Sequence, residues 1–341
     1  MVHQAYYQTP GHVVAAGVVL SLVDITAVSL RVLARKKQKQ AFRWDDWFII
    51  PAMLFTVGIG IILVYGVSQH ALGYPLEVPV DYSGNPLEIS TAQTTETSKA
   101  EISFLIMLPI ALGCAKLSIL FFYFRIFAAT TASKRYWFLV GLQVFVGMWT
   151  VAFFLSFVFQ CRLHFWAFFG STMDLIQNCP GTMYIDLSFC ITDFATDLVI
   201  LAIPVPLIWN ITHLSVSNKV TALAIFLLGS TTVIASLLRS IVLIKIVIGG
   251  FDPELDEILV ITESLYWGMV ECGVAICAAC FPVSQVLFRD LPWNKVFSRP
   301  KSTSDNSDIS VSQPSSDEGK HSITVRHTVR VSHRDAAGSP V

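Results

Sequence analysis

The chain has 341 residues, of which 54% are hydrophobic and 14% are charged, and its formal net charge is −1. Soluble domains carry about 25% charged residues, so this composition, with a mean hydropathy of +0.62, excludes an ordinary water-soluble protein. We expect the lipid bilayer to surround the chain, and we expect no nucleic-acid partner.

Seven apolar stretches predict an all-α, polytopic membrane protein. A helix needs about 20 mostly apolar residues to cross roughly 30 Å of hydrocarbon, and each stretch meets that length. The stretches are residues 13–34, 46–67, 100–127, 136–159, 182–209, 219–248 and 260–288. We predict a seven-transmembrane bundle over residues 13–290, preceded by a short extracellular segment, residues 1–12.

Lysine and arginine residues are concentrated in alternate loops. A basic cluster at 35–43 follows the first stretch and another at 289–301 follows the seventh, whereas 68–98 and 249–259 contain no Lys or Arg. Cytosolic loops of membrane proteins carry the excess of Lys and Arg. The pattern therefore predicts an N-terminus outside the membrane and a C-terminus in the cytosol.

The segment 298–341 is rich in serine and has few large apolar residues. Such a segment cannot bury enough apolar surface to offset the entropy lost on ordering, so we predict a disordered cytosolic tail. It serves either as a docking platform for signalling proteins or as a spacer, and the composition fits both.

Two of the seven cysteines flank the predicted outer loop between the fourth and fifth stretches. Cys161 and Cys179 face an oxidising compartment, which favours a disulfide. Closing a loop of this length contributes about 3 kcal/mol in the chain-entropy model. The remaining cysteines lie within apolar stretches, where packing accounts for them, and we predict no metal site.

Ionisable residues inside the apolar stretches are the candidates for a functional site. Each costs about 2.5–3.5 kcal/mol at the bilayer centre and therefore faces the bundle interior. The spacings of seven and four residues place the three aspartates of the fifth stretch on one helical face. Two interpretations stay open: structural ion pairs, or a polar cavity that binds a ligand or relays protons. The candidates are Lys116, Asp186, Asp193, Asp197, Arg239, Glu263, Trp267 and Glu271, with Arg125 as a candidate for cytosolic coupling.

Four motifs occur in order along the chain. They are R-W-D-D-W at residues 43–47, K-x-S-I-L-x-x-Y-x-R-I-F at 116–127, D-x-x-x-D-L followed by P-x-P-x-I-W at 193–209, and Glu271 followed by I-C and F-P at 276–282. Together they resemble the fungal rhodopsin-domain integral membrane proteins over about residues 13–290. The resemblance implies a seven-helix protein of a filamentous fungus.

The family includes receptors of the G-protein-coupled type that sense plant surfaces, and proteins encoded in satratoxin-type and other secondary-metabolite gene clusters. The sensing members often carry a cysteine-rich module before the first span, which residues 1–12 do not contain. The resemblance therefore points to the members encoded in gene clusters rather than to the surface-sensing receptors. A retinal pigment needs a Schiff-base lysine in its last span, and 260–288 contains none, so we expect no retinal and no other cofactor.

A receptor in the plasma membrane is the function that we expect most. An unknown small molecule would enter an outward-facing cavity lined by the third, fifth, sixth and seventh stretches, and cytosolic signalling proteins would meet the inner loops and the tail. A transporter that exports a secondary metabolite is the first alternative. A membrane-embedded enzyme with Asp193 and Asp197 as general acid is the second, although no H-E-x-x-H or G-x-S-x-G motif is present.

Overall fold

The computed structural model describes residues 8–76, 91–127, 134–162, 164, 166, 178–179, 181–204, 216–249 and 256–289. Within these ranges the chain forms seven α-helices and no β-strand. The helices are α1 (Pro10–Lys37), α2 (Trp44–Ser68), α3 (Ala92–Phe127), α4 (Lys134–Val158), α5 (Thr182–Ala202), α6 (Val216–Gly249) and α7 (Glu257–Arg289). The tail 298–341 lies outside the described residues.

Each predicted apolar stretch overlaps one helix, which confirms the all-α, polytopic architecture. Residues 205–209, the end of the fifth stretch, lie outside the described residues. Six of the helices in the described ranges are long and apolar enough to cross a membrane. The exception is α5, because three aspartates fall within its 21 residues. Its aspartates Asp193 and Asp197 are buried, whereas Ile191 and Leu198 are exposed on its other face, the arrangement expected of a span that faces lipid.

The helices α3 and α7 form the centre of the bundle. In the most apolar segment of each, 72% of the residues are buried, compared with 17% in α4 and 22% in α1. The outer helices present apolar side chains such as Leu22 and Met148 to the surroundings. Apolar surface turned outward is typical of a bundle dissolved in lipid.

Helices α1 and α2 approach each other closely at two glycines. A Cβ atom on Gly60 would lie 2.7 Å from the carbonyl oxygen of Gly17, and one on Gly17 would lie 3.0 Å from that of Gly60. Small residues at such contacts allow helix backbones in membranes to pack tightly. This contact holds the first half of α1 against the second half of α2, and the other ends of the two helices meet through polar residues.

A buried network of two arginines and two aspartates joins α1 to α2, and we call it the α1–α2 hub. Arg31 forms ion pairs with Asp45 at 2.8 Å and with Asp46 at 2.9 Å. Arg35 pairs with the same two carboxylates, at 3.0 Å for Asp46. All four side chains are at most 4% exposed, so two positive and two negative charges neutralise each other away from water.

The α1–α2 hub also reaches α3 and α7. Arg31 donates a hydrogen bond to the carbonyl oxygen of Ala279 at 2.6 Å, and Ser118 donates to the carbonyl oxygen of Asp45 at 2.7 Å. The sequence alone explains Asp45 and Asp46 as residues of a helix N-terminus at the membrane interface. That explanation is incomplete, because both carboxylates are buried and paired.

The predicted disulfide is confirmed. Cys161 and Cys179 are bonded, with a Cα–Cα distance of 4.7 Å and a sequence separation of 18. The bond fixes the end of α4 to the segment that leads into α5. The start of α5, and with it the position of the α5 aspartates, is therefore anchored covalently.

We predict that Asp46→Asn destabilises the protein strongly. The substitution leaves two buried guanidinium groups against one carboxylate, and breaking a buried pair costs about 3–5 kcal/mol. The melting temperature of the purified protein should fall. The double variant Arg35→Gln/Asp46→Asn restores neutrality and should recover part of the loss.

The matched control for Asp46→Asn is Lys99→Gln on α3. Lys99 pairs with Glu96 at 2.7 Å, but its side chain is 48% exposed, and pairs of this kind contribute little. The control should melt at the wild-type temperature. A double variant no more stable than Asp46→Asn would show that charge balance does not govern the α1–α2 hub.

Candidate functional site

Lys116 of α3 holds two aspartates of α5. Its Nζ lies 2.7 Å from Oδ1 of Asp193 and 2.8 Å from Oδ1 of Asp197, and it donates to Oγ1 of Thr196 at 2.8 Å. Residues spaced by three and four face the same side of a helix, which is why these α5 side chains converge on one ammonium group. Lys116 is only 2% exposed.

Arg239 of α6 extends this contact to α7. Its NH2 atom lies 2.9 Å from Oδ2 of Asp193 and 3.4 Å from Oε2 of Glu271. Asp193 is thus shared between the two cations. We call Lys116, Asp193, Asp197, Arg239 and Glu271 the central cluster, and it connects α3, α5, α6 and α7.

The charges of the central cluster do not balance. Three carboxylates face two cations, so the cluster carries one excess negative charge when every group is ionised. Several of its atoms have no hydrogen-bond partner among the described residues: Oδ2 of Asp197, both carboxyl oxygens of Glu271, and Nε and NH1 of Arg239. The α1–α2 hub is neutral by the same count, which sets the central cluster apart.

Aromatic rings cover the central cluster on the side where α3 and α5 begin. Lys116 lies 5.4 Å from the ring centroid of Trp149, and the guanidinium of Arg239 lies 5.1 Å from that of Phe189. Phe153 and Phe157 continue this packing, with centroids 5.2 Å and 5.4 Å from Phe189. Cation–π contacts stabilise a desolvated charge, and the rings fill the space on that side.

A cavity of about 40 Å³ adjoins the central cluster on the opposite side. Lys116 and Asp197 contribute the charged part of its wall, and α6 contributes Gly229 and Thr232. This volume accommodates roughly three water molecules, at about 10–15 Å³ for each. Its remaining wall is largely apolar and includes Ile119, Phe122, Tyr123, Ile200, Leu201, Ala275, Ala278, Ala279 and Pro282.

The sequence predicts an outward-facing cavity lined by the third, fifth, sixth and seventh stretches, and this cavity lies among the four corresponding helices. Its residues follow Lys116, Asp197 and Glu271 along α3, α5 and α7, and so lie toward the ends of those helices. The basic segments that follow α1 and α7 predict that this side is cytosolic. The aromatic packing around Phe189 occupies the space on the other side of the central cluster.

Three further predicted site residues lie away from the central cluster. Asp186 is two helical turns before Asp193, and its Oδ1 lies 3.9 Å from the thiol of Cys190. Glu263 is partly exposed and forms no ion pair with a described residue. Trp267 is partly exposed and packs edge-on against the ring of Tyr266 at 5.4 Å.

Arg125, predicted as a cytosolic coupling residue, is linked to the α1–α2 hub through Gln40. Its NH2 atom donates to Oε1 of Gln40 at 3.3 Å, and the same oxygen accepts from Arg35 at 2.7 Å. Arg125 thus lies at the C-terminal end of α3, beside the basic segment that follows α1.

Two buried groups were not foreseen as parts of a site. Asp24 of α1 is fully buried, its Oδ1 lies 3.8 Å from the thiol of Cys277, and its Oδ2 has no hydrogen-bond partner in the described part of the chain. Arg31 is the other, in the α1–α2 hub. The available signal was the four-residue spacing of Arg31 and Arg35, followed by two adjacent aspartates.

The chain is similar to a known protein family and to individual fungal proteins. The model of the fungal rhodopsin domain matches residues 30–290. Phomoidride biosynthesis cluster protein H of a fungal species (strain ATCC 74256) is 23% identical, over 88% of this chain and 95% of the relative. Polyenoic acids biosynthesis gene cluster protein Ba17b of Metarhizium anisopliae is 25% identical, over 80% of this chain and 72% of the relative.

A third relative carries a receptor name. Receptor GIN3 of Arthrobotrys oligospora is 25% identical over 79% of this chain, and the match spans 60% of that protein. No solved structure matches the chain.

Charge balance in the central cluster predicts opposite effects for two substitutions. Lys116→Met leaves three carboxylates with one cation and should cost about 3–5 kcal/mol of stability. Glu271→Gln leaves two carboxylates with two cations, and in a buffer without metal ions it should melt at or above the wild-type temperature. Thermal unfolding of the purified variants measures both. Equal destabilisation by the two substitutions would contradict the charge count.

Proposed function

Because the chain belongs to the fungal rhodopsin domain family, we propose that it is a receptor-like sensor of a small molecule. The observation that carries this proposal is the central cluster, in which three carboxylates from two helices compete for two cations from two others. Such a cluster can exchange ion pairs when the helices move. The ligand's different affinity for the two arrangements would supply the signal.

The exchange would involve Arg239 above all. Its NH2 atom already lies between Asp193 at 2.9 Å and Glu271 at 3.4 Å. A shift of α6 or α7 by about 1 Å, of the size seen in switching helices, would strengthen one contact at the expense of the other. The movement would be transmitted to α3 and α5, because Asp193 of α5 also pairs with Lys116 of α3.

The cavity beside Lys116 and Asp197 would transmit this movement to the cytosol. It is bounded by α3, α5, α6 and α7, so a displacement of α6 changes its width. We propose that this side faces the cytosol, with Arg125 and the basic loops available to signalling proteins, and that the protein resides in the plasma membrane. We propose no retinal, since α7 contains no lysine; a visible absorption band in the purified protein would contradict this.

The relatives are compatible with a sensing role connected to secondary metabolism. One is named a receptor, and two are named for biosynthesis clusters. These names describe the relatives and suggest where to look for a phenotype. They favour a response that controls the production of a metabolite.

An exporter coupled to protons is the second candidate. The observation in its favour is a cluster of charges inside the bundle, with more carboxylates than cations, next to a cavity. Ionisable residues in this position mark ion or proton pathways in many membrane proteins. The two functions differ in where a metabolite accumulates.

We predict that Asp197→Asn removes the function while the protein still folds. Asparagine keeps an oxygen near Lys116 and balances the central cluster, but it removes a carboxylate that takes part in the exchange. In a deletion strain complemented with the variant, the transcriptional response to inducing conditions should fall at least about fivefold, the lower end of allosteric coupling energies. A fluorescent tag reports the amount in the membrane.

Asp186→Asn is the matched control, because it makes the same change on the same helix outside the central cluster. It should restore the wild-type response. Metabolites are measured in cells and in the medium at the same time. A receptor predicts that both pools fall together in the Asp197→Asn strain. A product that rises in cells and falls in the medium would indicate export, and a new intermediate would indicate an enzyme.

A further inference from the structure

The three carboxylates of the central cluster form a compact group of oxygen atoms. One oxygen each from Asp193, Asp197 and Glu271 lies within 4.8 Å of the other two. All three residues are buried, Asp193 and Glu271 completely. Oδ2 of Asp197 and both oxygens of Glu271 have no hydrogen-bond partner among the described residues.

We propose that the central cluster binds one monovalent cation of the size of sodium, coordinated by Asp193, Asp197 and Glu271. Oxygen ligands surround calcium, which has nearly the same radius as sodium, at about 2.3–2.6 Å. Two such ligands on opposite sides of an ion are about 5 Å apart, which agrees with the observed spacing. The sequence predicted no metal site because three separate positions on two helices, rather than a local motif, supply the ligands.

The charge of the central cluster selects a single positive charge. One monovalent ion neutralises the excess carboxylate, whereas a divalent ion would leave a net positive charge beside Lys116 and Arg239. A buried charge that is not compensated is costly. The site therefore disfavours calcium and magnesium despite its carboxylate ligands.

A bound ion also satisfies more atoms than a proton does. A proton on Glu271 would make one hydrogen bond to a neighbouring carboxylate and would leave Oδ2 of Asp197 without a partner. An ion between the carboxylates contacts Asp197 and Glu271 at the same time. Buried polar atoms without partners are rare in folded proteins, so Oδ2 of Asp197, which has no partner among the described residues, favours the ion.

The cavity provides a route to this site. It has room for about three waters, and Asp197 is part of its wall. Those waters would complete the coordination of the ion. The aromatic rings around Phe189 block the other side, so the ion exchanges from the side on which α3 ends.

The test uses the full-length protein in lipid nanodiscs. The melting temperature is measured while sodium chloride replaces N-methyl-D-glucamine chloride at constant ionic strength and constant pH. A site of this kind predicts a saturable rise of about 5 °C for sodium. Potassium should raise the melting temperature less, because the ion is larger.

Variants assign the effect to the central cluster. Glu271→Gln and Asp197→Asn each remove a ligand and the excess charge, so both should fold and lose the dependence on sodium. Asp186→Asn should keep it. A sodium effect of equal size in Glu271→Gln would indicate a general salt effect and overturn the proposal.

A competing outcome is that the melting temperature responds to pH and is indifferent to sodium. The central cluster would then hold a proton, and the cation proposal would be wrong. The proposal goes beyond the receptor function and does not depend on it. The nanodisc measurement uses no cellular response, so the failure of one proposal leaves the other standing.

Discussion

A charge inside a lipid bilayer must be compensated within the protein, because the surrounding hydrocarbon supplies neither water nor counterions. This constraint organises the described part of the chain around two ion clusters, and α3 and α7 belong to both. On α3, Lys116 enters the central cluster and Ser118, two residues later, enters the α1–α2 hub. On α7, Glu271 belongs to the central cluster, and Ala279, two turns later, accepts a hydrogen bond from the α1–α2 hub. The two central helices therefore place each cluster relative to the other.

The two clusters solve the same electrostatic problem differently. In the α1–α2 hub, two guanidinium groups pair with two carboxylates, and Arg31 donates a further hydrogen bond to a backbone carbonyl oxygen. Such a closed network has one good arrangement and fixes α1 and α2 against the centre. In the central cluster the carboxylates outnumber the cations and several atoms lack partners. An incomplete network admits alternative pairings, or an additional cation, and the helices it joins are those that border the cavity.

The sequence predicted the helices, the disulfide and five members of the central cluster, because hydrocarbon thickness and the cost of buried charge act on each span separately. It also grouped Asp186, Glu263 and Trp267 with them, and these three form no ion pair with the central cluster. Spacing within a helix determines the face of a residue but not its depth relative to other helices. At 1.5 Å per residue, Glu263 is about 12 Å from Glu271 along α7. The α1–α2 hub depends on contacts between two helices that are separated by a turn. The periodicity of a single helix carries no information about such contacts.

The motifs that carry the family resemblance coincide with the ion clusters. The R-W-D-D-W motif supplies Asp45 and Asp46 to the α1–α2 hub, and the other three supply Lys116, Asp193, Asp197 and Glu271 to the central cluster. These residues satisfy a requirement of the bundle itself, whichever molecule it binds. The resemblance consequently identifies a charge arrangement and a fold. The relatives include two named for biosynthesis clusters and one named a receptor, so membership of the family does not by itself specify one function.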